Sequence, residues 1–172
     1  MSSALKIDTK NRKLAFSAVT GALYAVLTIL LAPISYGPIQ FRISEALCVL
    51  PYFVPETAMG LFVGCLLSNI YTGNIFDIIF GSLATLLAAF ITWQLPKNGI
   101  WKFFAPLPSV ICNALVISAV ITFGTGAVET GLQVFAANAL SIALPQAIVC
   151  YGAGLPLLLW LNKSGMDKRL FG

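Results

Sequence analysis

In the stretch Gly37–Leu47, GPIQFRISEAL, an arginine and a glutamate stand three residues apart in a chain that is only 9% charged. On a helix, Arg42 and Glu45 at this spacing are close enough to pair. Two chemistries follow. One is a salt bridge that anchors a helix end, a contact usually of small energy. The other is recognition of a polar solute, with the carboxylate accepting N–H groups and the guanidinium donating to a carbonyl. The second reading explains why charge sits where a short apolar segment tolerates it least.

Other chemistries lack their residues. The chain has no histidine and no Cys-x-x-Cys, and Cys48, Cys65, Cys112 and Cys150 lie singly in separate apolar segments, where they read as small buried hydrophobes. Zinc proteolysis and Cys/His nucleophilic catalysis are therefore excluded, no catalytic residue is assigned, and neither metal nor cofactor is expected. No Gly-x-x-x-x-Gly-Lys-Ser/Thr loop occurs, so ATP hydrolysis by that route belongs to a partner. The basic residues are scattered in small groups beside apolar runs, as orientation signals are, which does not suit nucleic-acid binding.

The elements that must position these residues are set by composition. With 172 residues, 59% hydrophobic, and a mean hydropathy of +0.92, the chain has more apolar surface than a soluble domain of its length buries. It reads as an all-α integral membrane protein. No charge occurs between Lys13 and Arg42, a run long enough to cross a bilayer and too long for a cleaved signal peptide. Candidate spans lie at about 13–33, 43–54, 56–72, 75–95, 104–123 and 131–161. Every lysine and arginine except Arg42 falls in one of three clusters, at the N-terminus, at Lys97 and Lys102, and at the C-terminus. If all three are cytoplasmic, an even number of crossings separates the first two, so 43–54 must cross although twelve α-helical residues reach only about 18 Å. The expectation is one domain, 1–172, a compact bundle of six spans with both termini cytoplasmic. Its last helix is long and kinked at Pro145, with Gly152, Gly154 and Pro156 loosening it further on.

This topology puts Glu45, Asp77 and Glu129 on the outward side, with Arg42 as the basic residue there, an excess of acid that favours a cationic or hydrogen-bond-donating solute. Asp77 follows Asn74 by three and Glu129 precedes a helix start, so helix capping or dipole complementarity accounts for them equally well. In the first span Ala15, Ala18, Ala22 and Ala25 share one helix face, beside Gly21. Such a smooth stripe admits another helix closely, from a partner or from the same chain. Gly60-Leu-Phe-Val-Gly64 is a second small-residue pair, read as internal packing.

Six short spans, the Ala-x-x-x-Ala of Ala18 and Ala22, and the stretch GPIQFRISEALCVLP from Gly37 to Pro51 together resemble the substrate-binding S component of an energy-coupling factor (ECF) transporter, and within that group the QueT branch. The resemblance implies a location in the bacterial cell membrane and a partner assembly of one membrane coupling subunit and two ATPases. It also implies a solute pocket on the outward side, under the loop joining the first two spans. The implied solutes are queuosine precursors, 7-deazaguanine bases such as queuine or its aminomethyl and cyano precursors (preQ1, preQ0).

A guanine-like edge presents adjacent N–H donors that a carboxylate accepts, a carbonyl that needs a donor, and a flat ring that favours an aromatic neighbour. Glu45 suits the donor edge, Arg42 or Gln40 the carbonyl, and Tyr36, Phe41 or Tyr71 the ring face. Asp77 suits an aminomethyl cation. Asn69, Asn74, Asn113, Gln133 and Asn138 are further polar candidates, of which Asn69 and Asn138 lie in the outer parts of their spans; Asn113, near mid-membrane, reads equally as a helix–helix hydrogen bond. The alternatives are an S component for another vitamin-like molecule, and a self-sufficient channel or secondary carrier. A carrier usually shows a midplane ionisable relay or an inverted repeat, and neither is evident.

Overall fold

A computed structural model describes residues 9–36, 40–97, 99–124 and 131–165. Helix α1 (Thr9–Leu30) leads through the short α2 (Ala32–Ser35) to a 3-10 helix, Ile43–Tyr52, and then α3 (Thr57–Thr72). A π turn, Asp77–Gly81, runs into α4 (Ser82–Gln94); a 3-10 turn, Gly99–Phe104, precedes α5 (Leu107–Gly124). Helix α6 (Gly131–Val149) passes through a second π turn, Cys150–Gly154, into α7 (Leu155–Ser164). The described residues contain no strand.

Polarity is distributed opposite to that of a water-soluble domain. Leu14, Val19, Leu23, Val26 and Leu30 lie exposed along α1, and Leu132, Leu140, Leu144 and Ile148 along α6, whereas Thr28, Ser44, Glu45, Ser68, Asn69 and Ser109 are fully buried. Lipid satisfies the outer side chains, and hydrogen bonds must satisfy the inner ones. Four helical stretches, Thr9–Leu30, Asp77–Gln94, Gly99–Thr122 and Gly131–Ser164, are long and apolar enough to cross a membrane. Ile43–Tyr52 and Thr57–Thr72 are shorter apolar helices.

The 3-10 helix is the axis of the bundle. It touches α1, α3, α4, α6, α7 and the second π turn, and eight of its ten residues are buried. The tighter winding raises ten residues by about 20 Å, more than an α-helix of that length. Its neighbours come close because small residues face it: a Cβ on Gly154 would lie 3.0 Å from the Ala46 carbonyl oxygen.

Helices α1 and α3 cross at Ser17, Gly21, Gly60 and Gly64. A Cβ built on Gly21 would strike the Gly60 carbonyl oxygen, one on Gly60 the Ser17 oxygen, and one on Gly64 the Gly21 oxygen. The Gly60/Gly64 pair therefore packs within the chain, as its sequence suggests. The Ser17 hydroxyl donates to the Glu56 carbonyl at 2.5 Å across the same contact. At the other end α3 stops at Gly73, whose φ of +72° is open to glycine at no steric cost.

The long last run, Gly131–Ser164, is helical throughout, and its two prolines sit differently. Pro145 sits inside α6 without ending it, and the second π turn directly precedes Pro156 near the start of α7. Widening there accommodates a ring that would collide with the preceding turn of a regular helix.

Candidate functional site

Glu45 has only 1% of its surface exposed, and donors from four elements converge on it. From α1, the Tyr24 hydroxyl donates to Oε1 at 2.5 Å. To Oε2 come the Cys48 thiol at 2.9 Å from the same 3-10 helix, the Ser109 hydroxyl at 2.8 Å from α5, and Gln146 Nε2 at 3.1 Å from α6. Gln146 also donates to the Ser109 hydroxyl and carbonyl, both at 3.2 Å, and the Cys150 thiol reaches the Glu45 carbonyl at 3.6 Å. A carboxylate offers about four acceptor positions. Oε2 is crowded by three donors; Oε1 holds one and retains a free position.

Arg42 does not pair with Glu45. Its backbone is extended just ahead of the 3-10 helix, with φ −90° and ψ 93°. The guanidinium carbon lies 5.2 Å from the centroid of the Tyr36 ring, and Tyr36 in turn donates to the Ser68 carbonyl at 2.7 Å. Arg42 Nε is buried with no hydrogen-bond partner. Stacking on an aromatic face offsets part of the cost of a buried cation but leaves its N–H groups available.

These groups surround a cavity lined by Gln40, Arg42, Glu45, Asn113, Ile117, Ile142 and Gln146, with a volume of about 10 Å³, the size of a single water. Its polar wall combines donors and acceptors, and its two isoleucines come from α5 and α6. Among the described residues, no three His, Cys, Asp or Glu side chains gather as a metal site would require.

The structure thus brings together Gln40, Arg42 and Glu45, with Tyr36 behind Arg42. Phe41 is half-buried next to Arg42 and does not line the cavity. Asn69 lies elsewhere, donating through Nδ2 to the Asp77 carbonyl at 2.8 Å, which ties α3 to the first π turn. Asp77 accepts from Asn74 Nδ2 at 3.1 Å, while Asn74 Oδ1 accepts the Phe76 N–H at 3.1 Å, an arrangement that caps a helix start. Tyr71 is 63% exposed on α3. Asn138 reaches Thr122 at 3.5 Å, joining α6 to α5. Glu129 lies outside the described residues. Asn113, a polar candidate that the sequence left open between solute contact and helix–helix hydrogen bond, lines the cavity, whereas Tyr24, Ser109, Gln146 and the two isoleucines carried no such reading.

The alanine stripe divides. Ala15, Ala18 and Ala22 are exposed, and Ala18 and Ala22 line a surface groove of about 370 Å³ with Leu14, Ser17, Gly21, Met59, Gly60, Val63 and Leu67. Ala25 is buried.

A family model described as QueT transporter matches residues 14–163. The chain belongs to the QueT transporter family. A curated relative, the queuosine precursor transporter QueT of Lactococcus lactis subsp. cremoris (strain MG1363), is 42% identical over 72 residues, which make up 41% of this chain and 43% of the relative. The match thus spans less than half the relative's length. No solved structure matches. Membership in the QueT family and the four long apolar helices agree that this is a membrane protein. In a QueT protein, as in any bilayer-embedded bundle, a carboxylate at the axis is tolerated only where donors surround it, as they surround Glu45.

Proposed function

We propose that the chain is the substrate-binding S component of an ECF-type ATP-driven importer and that it takes up queuosine precursors, 7-deazaguanine bases. The observation that carries this reading is the polar cavity at Glu45 and Arg42, inside a bundle whose outer surface is apolar and whose family is that of QueT transporters. In this reading Glu45 Oε1 accepts an N–H of the base through its free position. Arg42 or Gln40 donates to the carbonyl, and Tyr36 flanks them. Asp77, Asn69, Tyr71, Phe41 and Asn138 are then outlying contributors to the entrance or to its support.

A cavity of about 10 Å³ holds one water and no bicyclic base. Admission of the base therefore requires Ile117 on α5 and Ile142 on α6 to part from the 3-10 helix, so that binding and a change of shape go together. The chain crosses the membrane six times with both termini in the cytoplasm. The groove at Ala18 and Ala22, with Ala15 at its edge, receives helices of the coupling subunit, and two ATPase subunits supply the energy. The chain itself performs no chemistry.

Purified protein should bind 7-deazaguanine bases, and vesicles containing it should accumulate them from outside only when the coupling subunit and ATPases are added with ATP. Accumulation by the chain alone would make it a self-sufficient carrier. Absence of binding would overturn the reading.

A further inference from the structure

The cavity contains a second group with unused hydrogen-bonding capacity. Asn113, on α5, is 6% exposed and lines the cavity, and its carboxamide makes no side-chain hydrogen bond among the described residues. Its neighbours behave differently. Ser109, four residues earlier on the same face of α5, bonds to Glu45, and Gln146 bonds to both Glu45 and Ser109. The carboxamide is not sealed away without partners but keeps access to the cavity, so its donor and acceptor are free for a group that enters there. Arg42 lines the same cavity, and its buried Nε has no partner.

We infer that Asn113 is a specificity-determining residue that reads the lactam edge of the ring, the adjacent ring N–H and carbonyl. The inference rests on the proposal that a 7-deazaguanine base occupies this cavity. A carboxamide presents one acceptor and one donor side by side, the complement of a lactam's N–H and C=O. Taken alone it could turn over and read an amidine edge equally well. Its surroundings fix the sense: Arg42 can only donate, so the carbonyl belongs on that side with Asn113 Nδ2, whereas Glu45 Oε1 can only accept, so the N–H groups belong on the other with Asn113 Oδ1. Ile117, one turn along α5 from Asn113, and Ile142 on α6 supply apolar walls suited to a flat ring. Glu45 sets the framework by holding Ser109 and Gln146, and Asn113 distinguishes one heterocycle from another.

The test compares two ligands, 7-deazaguanine and 2-amino-7-deazapurine, which lacks the carbonyl and the adjacent ring N–H. Wild-type protein should prefer the lactam by tenfold or more, since unmatched buried polar partners of this kind change affinity by about that factor. In Asn113→Leu the lactam should lose about tenfold while the analogue changes little, so the preference collapses; binding of the analogue shows that the variant is folded. Asn113→Thr, smaller and still polar, should fall between the two and serves where Leu disturbs insertion. An unchanged preference in both variants, or equal weakening of both ligands, overturns the inference and leaves the proposed function standing. Wild-type protein that binds neither compound overturns the proposed function and this inference with it.

Discussion

Arg42 and Glu45 stand one helical turn apart and do not form an ion pair. Glu45 is held by Tyr24, Cys48, Ser109 and Gln146, whereas the Arg42 guanidinium stacks over Tyr36 with a buried Nε left over. A salt bridge anchoring the helix end would have consumed both charges; instead one ties four helical elements together and the other keeps donors to spare.

Glu45→Gln separates framework from ligand contact. The new NH₂ group would face donors that have lost their acceptor, which typically costs about 1–3 kcal/mol per unmatched group. Thermal stability of the detergent-solubilised protein should fall, and affinity for 7-deazaguanine should fall by at least about tenfold. Lowered stability with unchanged affinity would remove the ligand contact and leave Glu45 as framework alone.

Gly60→Ala should destabilise the protein by about 1–3 kcal/mol, because α1 and α3 must separate to admit a methyl group against the Ser17 carbonyl. At Gly152 a Cβ meets nothing within 4 Å, so Gly152→Ala provides the control and should melt near wild type. Equal melting temperatures for the two variants would show that the crossing is looser than its glycines indicate.

Ala22 and Ala25 lie on one stripe but point to different surroundings. Ala22→Trp fills the exposed groove, so it should abolish uptake by the complete transporter and leave binding by the isolated chain intact. Ala25→Trp places the ring in the interior and should lower stability and binding together. Loss of binding in Ala22→Trp would make the groove a packing surface within the chain.

Asp77 accepts a bond from Asn74 at the head of the α4 segment. Asp77→Asn should therefore weaken binding of the aminomethyl and cyano precursors equally, if at all, and cost stability no more than about 1 kcal/mol, as a helix-end contact does. A selective loss for the aminomethyl compound would instead assign Asp77 to that cation.

Several of these features were legible in the sequence. Charge inside an apolar chain is unfavourable, so Gln40-Phe-Arg42-Ile-Ser-Glu45 singled itself out, and the structure places three of those residues at one cavity. Asn74 followed by Asp77 left a helix cap and a solute contact equally open, because the spacing of the two residues shows a helix start and not what the carboxylate faces. The donors to Glu45 were not legible: Tyr24, Ser109 and Gln146 lie 21, 64 and 101 residues from it in sequence. A lone serine or glutamine in a membrane helix gives no local sign of its distant partner. The alanine stripe was read by periodicity, which shows that four residues share a face but not where along the helix that face turns from the groove to the interior. The segment 43–54 read as a short α-helix because hydropathy carries no information on winding.

That winding has a consequence for sequence change. With three residues to the turn, the 3-10 helix is a triangular prism, and Glu45, Cys48 and Pro51 lie along one edge while Ser44, Leu47 and Leu50 lie along the next. A single residue inserted or deleted beside Glu45 would rotate the carboxylate by about 120°, onto a different edge. An α-helix would smear such a slip over its 100° steps; here the code is ternary, and one miscount exchanges the identities of whole edges.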